Sequence, residues 1–254
     1  MADPKPVFLV IGAGAGIGGH AAMRFAHGGY HAVLCRRSDK DGLERLGAQI
    51  EEAGGSASGH LLDAAADGSI EELIEGVEGT LGPIEAVLFN LGAQIGDRAL
   101  SDTPHRLFEL GWRLATFGLF RVAHAVLPRM VARGSGTLIV TSATAAVRGN
   151  AGQHSHAAAM GGRRMLCQTL NAEFAPQGIH IAHVVVDGSV DAPDTLGRML
   201  GERWAGYKAS RGEDGLVDPA ALAETYWHLA HQPRNCWTFE LDVRPYRDKP
   251  WFNS

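Results

Sequence analysis

Residues 7–18 read Val-Phe-Leu-Val-Ile-Gly-Ala-Gly-Ala-Gly-Ile-Gly, five apolar residues followed by glycine at positions 12, 14, 16 and 18. The apolar run has the continuous character of a strand buried on both faces. Behind the glycines, residues 19–27 carry helix-forming alanines and a spaced apolar face. Glycine reaches positive φ without steric cost and lets a ligand come close to the backbone. The first N–H groups of a helix have no partner within the helix, so they point at an anion. A strand, a glycine turn and a helix in this order predict a nucleotide-phosphate site; a turn that is merely tight is the alternative.

The rest of the chain repeats the alternation. Strands are expected at residues 7–11, 31–35, 57–62, 86–90, 137–141, 179–186 and 237–241. Helices are expected at residues 16–27, 41–53, 68–80, 104–133, 156–176 and 219–231. Thr103-Pro104 and Asp218-Pro219 each place a capping side chain before a proline suited to the first helical position. Alternating elements of these lengths predict α/β architecture, a doubly wound, mostly parallel seven-stranded sheet with helices on both faces. At 254 residues the chain is expected to form a single domain. Within it, residues 5–190 make the nucleotide-binding core and active site. The irregular residues 187–218, rich in Gly, Asp and Arg, make the substrate loop, and residues 219–254 supply a final helix, strand and tail.

Net charge is −5 and no dense basic block occurs, which argues against nucleic acid as a partner. The three cysteines, Cys35, Cys167 and Cys236, are far apart and form no Cys-x-x-Cys, so they read as small buried hydrophobes in a reducing compartment. The N-terminal residues lack a signal-peptide pattern. No apolar stretch is expected to span a bilayer, and the expected location is cytoplasmic with no membrane partner.

Several motifs occur together: Gly12-x-x-x-Gly16-x-Gly18, Asp63 after the third strand, and Asn90-Leu-Gly-Ala after the fourth. To these are added Leu127-Pro-Arg-Met130, Gly149-Asn-x-Gly-Gln153, and Glu173 ahead of Gly178-Ile179. Over roughly residues 5–190 the chain resembles the short-chain dehydrogenase/reductase family, which implies a Rossmann-type sheet. It departs from the family at Ile11, where a Thr is usual, and at Asp187-Gly188, where Pro-Gly is usual. The resemblance implies cofactor contacts from Gly12, Gly14, Gly16, Ile17, Gly18, Asn90 and Gly92. It also puts Asp63 at the adenine, although Asn90 reads equally well as a residue that ties down a loop.

Relatives that prefer NAD carry an Asp at the end of the second strand. Here that place holds Cys35, followed by Arg36-Arg37, whose guanidinium groups suit a 2′-phosphate. NADP(H) is therefore favoured over NAD(H), with a solvated surface pair as the alternative for the two arginines.

The resemblance also implies an Asn, Ser, Tyr, Lys set for proton delivery. Yet lysine occurs only at 5, 40, 208 and 249, and tyrosine only at 30, 207, 226 and 246. No Tyr-x-x-x-Lys exists in the chain. Counting from the neighbouring motifs, the tetrad positions fall on Ala115, Ala143, His156 and Met160. Ser142, one residue earlier, is a candidate hydrogen-bond donor to a substrate oxygen. His156 is a candidate general acid near neutral pH. The alternatives are a strand-end hydroxyl and a helix-start histidine whose charged form the helix dipole disfavours. His154-x-His156 lacks a third ligand at a matching spacing, so no metal is expected.

Three functions remain open. The first is an NADP(H)-dependent oxidoreductase with a non-standard active site, acting on a small, apolar carbonyl or activated double bond. The second is a catalytically inactive nucleotide-binding protein with a regulatory or structural role. The third is a cofactor-independent lyase or hydrolase using Ser142 and His156, with Asp187 as the orienting carboxylate. A substrate would meet residues 91–96 together with Met199, Leu200, Trp204 and Tyr207. By resemblance, the helices at 104–133 and 156–176 imply a homodimer, and the strand at 237–241 with its tail implies a second contact toward a tetramer.

Overall fold

The computed structural model describes residues 5–92 and 96–253. Its strands form one seven-stranded sheet in the order β3-β2-β1-β4-β5-β6-β7, with every neighbouring pair parallel. They are β1 (Val7–Ile11), β2 (His31–Arg36), β3 (Ser56–Leu61), β4 (Ile84–Phe89), β5 (Gly136–Ala143), β6 (Ile179–Val186) and β7 (Glu240–Val243). The doubly wound sheet is thus present and wholly parallel.

Strand residues alternate between two cores. Val7, Leu9, Ile11, Val87, Phe89 and Leu138 face one layer, made by α3 (Ser69–Thr80), α5 (Gly118–Arg133) and α6 (His154–Phe174). Phe8, Val10 and Leu88 face the other, made by α1 (Ile17–His27), α2 (Lys40–Glu52) and α9 (Pro219–Ala230). Burial on both faces is why these strands read as unbroken apolar runs rather than alternating ones.

Between α3 and α5 lies α4 (His105–Trp112), joined to α5 through a π-helical turn, Arg113–Phe117. Asp218 caps α9 by accepting from the Ala220 N–H at 3.0 Å, as the Asp-Pro pair predicts. Thr103 does not cap α4: its hydroxyl donates to Ala99 O, and the helix begins at His105, after Pro104. The stretch His105–Arg133 has the length and apolar character of a membrane span, against the sequence expectation. Half of its most apolar window is buried within the fold, where α5 packs against α3 and the sheet.

After β6 the chain passes through Pro193–Gly197, one turn of helix α7 (Arg198–Leu200), and α8 (Trp204–Arg211). The final strand starts three residues later than its sequence pattern suggests, at Glu240. Trp237 instead lies flat on the His180 ring with centroids 4.9 Å apart. Cys35 and Cys167 are buried, and burial pushes both thiols up, that of Cys167 to about 12. Cys236 is exposed, contrary to the reading of all three as buried.

Candidate functional site

From β1 the chain crosses to β2 on one side and later returns to β4 on the other, so the ends of β1 and β4 diverge. In open α/β sheets this switch point is where a ligand-binding crevice opens. The glycine turn sits there. Gly12 and Ala13 donate to Cys35 O, and Gly12 has φ +104°. A Cβ on Gly12 would lie 2.9 Å from Asn90 O, and one on Gly18 would lie 2.2 Å from Gly12 O. Asn90 Nδ2 donates to Gly12 O at 3.1 Å, so this residue ties the turn to β4 as the loop-binding alternative expects.

Gly14 differs from its neighbours, because a Cβ there would meet nothing within 4 Å. Its open face belongs to a cleft of about 650 Å³ that is also lined by Gly16, Ile17, Gly18, Asn90 and Gly92. The N-terminus of α1 opens on this cleft with no side chain capping it. Unclaimed N–H donors beside an open glycine fit a dinucleotide diphosphate.

Arg36, Arg37 and Asp63 do not line that cleft; they sit at the ends of β2 and β3. Arg36 pairs with Asp39 at 3.0 Å. Asp39 caps α2 through the Gly42 N–H and holds a positive φ of 68°. That N–H, and then Arg36, holds the Asp39 carboxyl below its usual range. Arg37 is exposed. Asp63 is exposed, and its Oδ1 accepts from the Ala65 N–H at 3.0 Å.

The cleft is also lined by Ser142, Ala143, His156 and Met160, together with Leu91, Leu196 and Met199. His156 is half-buried in the first turn of α6, which starts at His154, two residues earlier than expected. Ser142 is buried, with its hydroxyl 3.9 Å from Met160 Sδ. Ala115, Ala145, Ala159 and Met160 form a small apolar cluster with Ala143 at its edge. Ala115, Ala143 and Met160, three of the four counted positions, therefore meet in one apolar cluster.

Asp187, the expected orienting carboxylate of a hydrolase set, is hydrogen-bonded to three other groups. Its Oδ1 accepts from the Thr144 hydroxyl, and its Oδ2 accepts from Arg244 Nε and the Trp251 N–H, each at 3.0 Å. It anchors the C-terminal tail. On the substrate side Met199 reaches the cleft, whereas Trp204 stacks on Tyr207 and Tyr207 bonds Ser189 at 2.6 Å. Leu200 is absent from the lining, and Ala93, Gln94 and Ile95 of the expected substrate segment lie outside the described residues. Among the described residues no three His, Cys, Asp or Glu side chains gather as a metal site.

Among the lining residues that sequence reasoning did not single out are Arg163 and, in the segment after β6, Thr195 and Leu196; Arg163 is the charged one. It is 1% exposed and donates to three main-chain carbonyls: Ala115 O at 3.1 Å, Thr141 O at 2.5 Å and Leu91 O at 2.6 Å. The available signal was its spacing, since it lies three and seven residues after Met160 and His156 on one helix face.

The sequence profile described as short chain dehydrogenase matches residues 6–199. The chain belongs to the short-chain dehydrogenase family. It is 32% identical over 199 residues to the short-chain reductase protein NovJ of Streptomyces niveus, covering 78% of this chain and 74% of that one. A solved short-chain dehydrogenase from Rhodopseudomonas palustris superposes with a TM-score of 0.79 at 32% identity, covering 95% of this chain and 99% of the other. A metagenomic short-chain oxidoreductase solved with NADP shares the fold at a TM-score of 0.79 and 23% identity, covering 94% and 97%.

Proposed function

We propose that this protein is an NADP(H)-dependent oxidoreductase whose proton-handling groups are His156 and Ser142. The observation that carries the reading is the open glycine face at Gly14 beside the uncapped N-terminus of α1. Gly12, Gly16, Ile17 and Gly18 shape the diphosphate seat, with Asn90 and Gly92 as its far wall. Arg36 and Arg37 at the end of β2 supply positive charge for a 2′-phosphate. Arg36 reaches one only by sharing or leaving Asp39, and Arg37 is exposed and takes the first contact. Asp63, at the end of β3, is assigned to the adenine.

When bound, the nicotinamide supplies a hydride equivalent to an electron-poor carbon. The chain supplies what surrounds that carbon. Ser142 turns its hydroxyl from the Met160 sulfur, a weak acceptor, to a substrate oxygen. His156 holds a proton at the cleft wall for the same oxygen. Leu91, Leu196 and Met199 exclude water and favour an apolar carbonyl or activated double-bond substrate. The apolar cluster around Met160 also favours a second reading, a nucleotide-binding protein without redox activity.

Two measurements separate these readings. NADPH is expected to bind more tightly than NADH when each is titrated calorimetrically. Binding of neither sinks the oxidoreductase reading. Deuterium from labelled NADPH is expected to reach a trial panel of small apolar ketones and enones, and to stop in His156→Ala. Tight NADPH binding with no transfer supports the second reading.

Assembly through the α4–α6 face is proposed as well. Phe108, Trp112, Phe120 and Met165 are exposed there, and Trp112, Phe117 and Phe120 stack in a row. A homodimer buries them, and a homotetramer adds the β7 edge.

A further inference from the structure

Arg163 is a cation enclosed by protein with no anion paired to it among the described residues. None of the ion pairs among the described residues includes it, and its three acceptors are carbonyl oxygens carrying only partial charge. The groups packed around it do not neutralise it. Cys167, one turn further along α6, is a neutral thiol. Glu240 is already shared by Arg164 and His183. Phe89 presents its ring 5.0 Å from the guanidinium carbon. Burial lowers the Arg163 pKa only to about 10, so the charge persists at neutral pH.

The three carbonyls come from three separate elements: the loop after β4, the π turn, and β5. Gly162 makes this reach feasible, since a Cβ there would stand only 3.2 Å from Thr116, and the Thr116 hydroxyl donates to Ala159 O at 2.7 Å. Arg163 lines the cleft together with Ser142, and its guanidinium holds the carbonyl of Thr141, the residue before Ser142. A full charge under a water-poor wall acts on whatever lies above it far more strongly than it would in solvent.

We propose that Arg163 makes the reaction end of the cleft selective for a small apolar ligand bearing a carboxylate, and that this is the substrate class the site receives. The proposal rests on the substrate cleft assigned above, and it specifies the ligand's charge. Arg163 acts through its field rather than by direct contact, so it is a specificity-determining residue and not a catalytic one.

The test compares benzoate with benzamide, which match in shape and differ by one negative charge. Binding is measured by calorimetry on the full chain, with and without saturating NADPH, whose reduced ring is uncharged. The wild type is expected to bind benzoate at least tenfold more tightly, equivalent to about 1.4 kcal/mol. Arg163→Lys is expected to keep that preference, and Arg163→Met and Arg163→Gln to bring the ratio to about one. Folding of each variant is checked by its melting transition. Should the methionine variant not fold, the glutamine variant decides, because it retains donors for the carbonyls. Equal or undetectable binding of the two probes by wild type overturns the proposal, as does a benzoate preference that survives neutralisation. Failure of NADPH to bind counts against the oxidoreductase reading alone, and the arm without nucleotide then decides for Arg163.

Discussion

Four glycines within seven residues do different work, and single alanines separate their roles. At Gly18 an added methyl falls 2.2 Å from a fixed carbonyl, so the turn has to move. Gly18→Ala is expected to cost roughly 2 kcal/mol and to lower the melting temperature by roughly 4–8 °C. At Gly14 the same methyl meets open space. Gly14→Ala is expected to leave melting unchanged and to weaken NADPH binding about tenfold, because the methyl occupies the diphosphate's approach. Paired melting and titration curves check both, and a Gly14→Ala protein with wild-type affinity would contradict the assigned seat. The glycine pattern was legible because backbone sterics act locally. Arg163 was not, since its partners come from positions 91, 115 and 141 and no local pattern announces them. Arg36 was half legible: its placement at the end of β2 is as expected, but its pairing with Asp39 depends on the left-handed turn before α2.

The β6–β7 edge couples element pairing to pH. His183 on β6 is fully buried and hydrogen-bonds Glu240 on β7 at 3.0 Å. Burial, opposed by Glu240, lowers the His183 pKa from 6.5 to about 4. The unfolded chain therefore takes up a proton near pH 6.5 that the folded chain refuses until about pH 4. Stability from this group is complete above pH 6.5 and declines as pH falls through that window, by about 1.4 kcal/mol per unit. Glu240, held low first by its hydrogen bond from Arg164, loses its contribution at still lower pH, in the same direction. Urea midpoints measured from pH 7 to 4 are expected to fall steeply in wild type and less steeply in His183→Asn. Equal slopes would assign the acid sensitivity elsewhere. The late start of β7 shows where strand reading ends, since Trp237 and Phe239 look like strand residues. Trp237 is drawn instead onto the His180 ring, and Phe239 takes part through its carbonyl, which accepts from the His183 N–H. The π turn was equally invisible, because the apolar spacing runs through residues 113–117 without a break and only the packing against α6 marks them.

Across the whole molecule, the sheet order and the two-core division follow from alternation that any parallel α/β chain must show. The face formed by α4, α5 and α6 is a different matter. Its exposed aromatics look in sequence like ordinary core positions. Light scattering is expected to give a dimer or tetramer, and Phe120→Asp is expected to shift it toward the monomer while nucleotide affinity stays near wild type. A wild-type monomer at micromolar concentration would remove the proposed assembly.

The cysteines lend themselves to a simple reading of how the molecule opens. Cys236 stands in solvent near the starts of the strands, away from the cleft, while Cys35 and Cys167 both lie in the core covered by α3, α5 and α6. One equivalent of an alkylating reagent should react at once, and two more only when that one helical layer parts from the sheet. The delay between the first and the later adducts would time how often this fold comes undone.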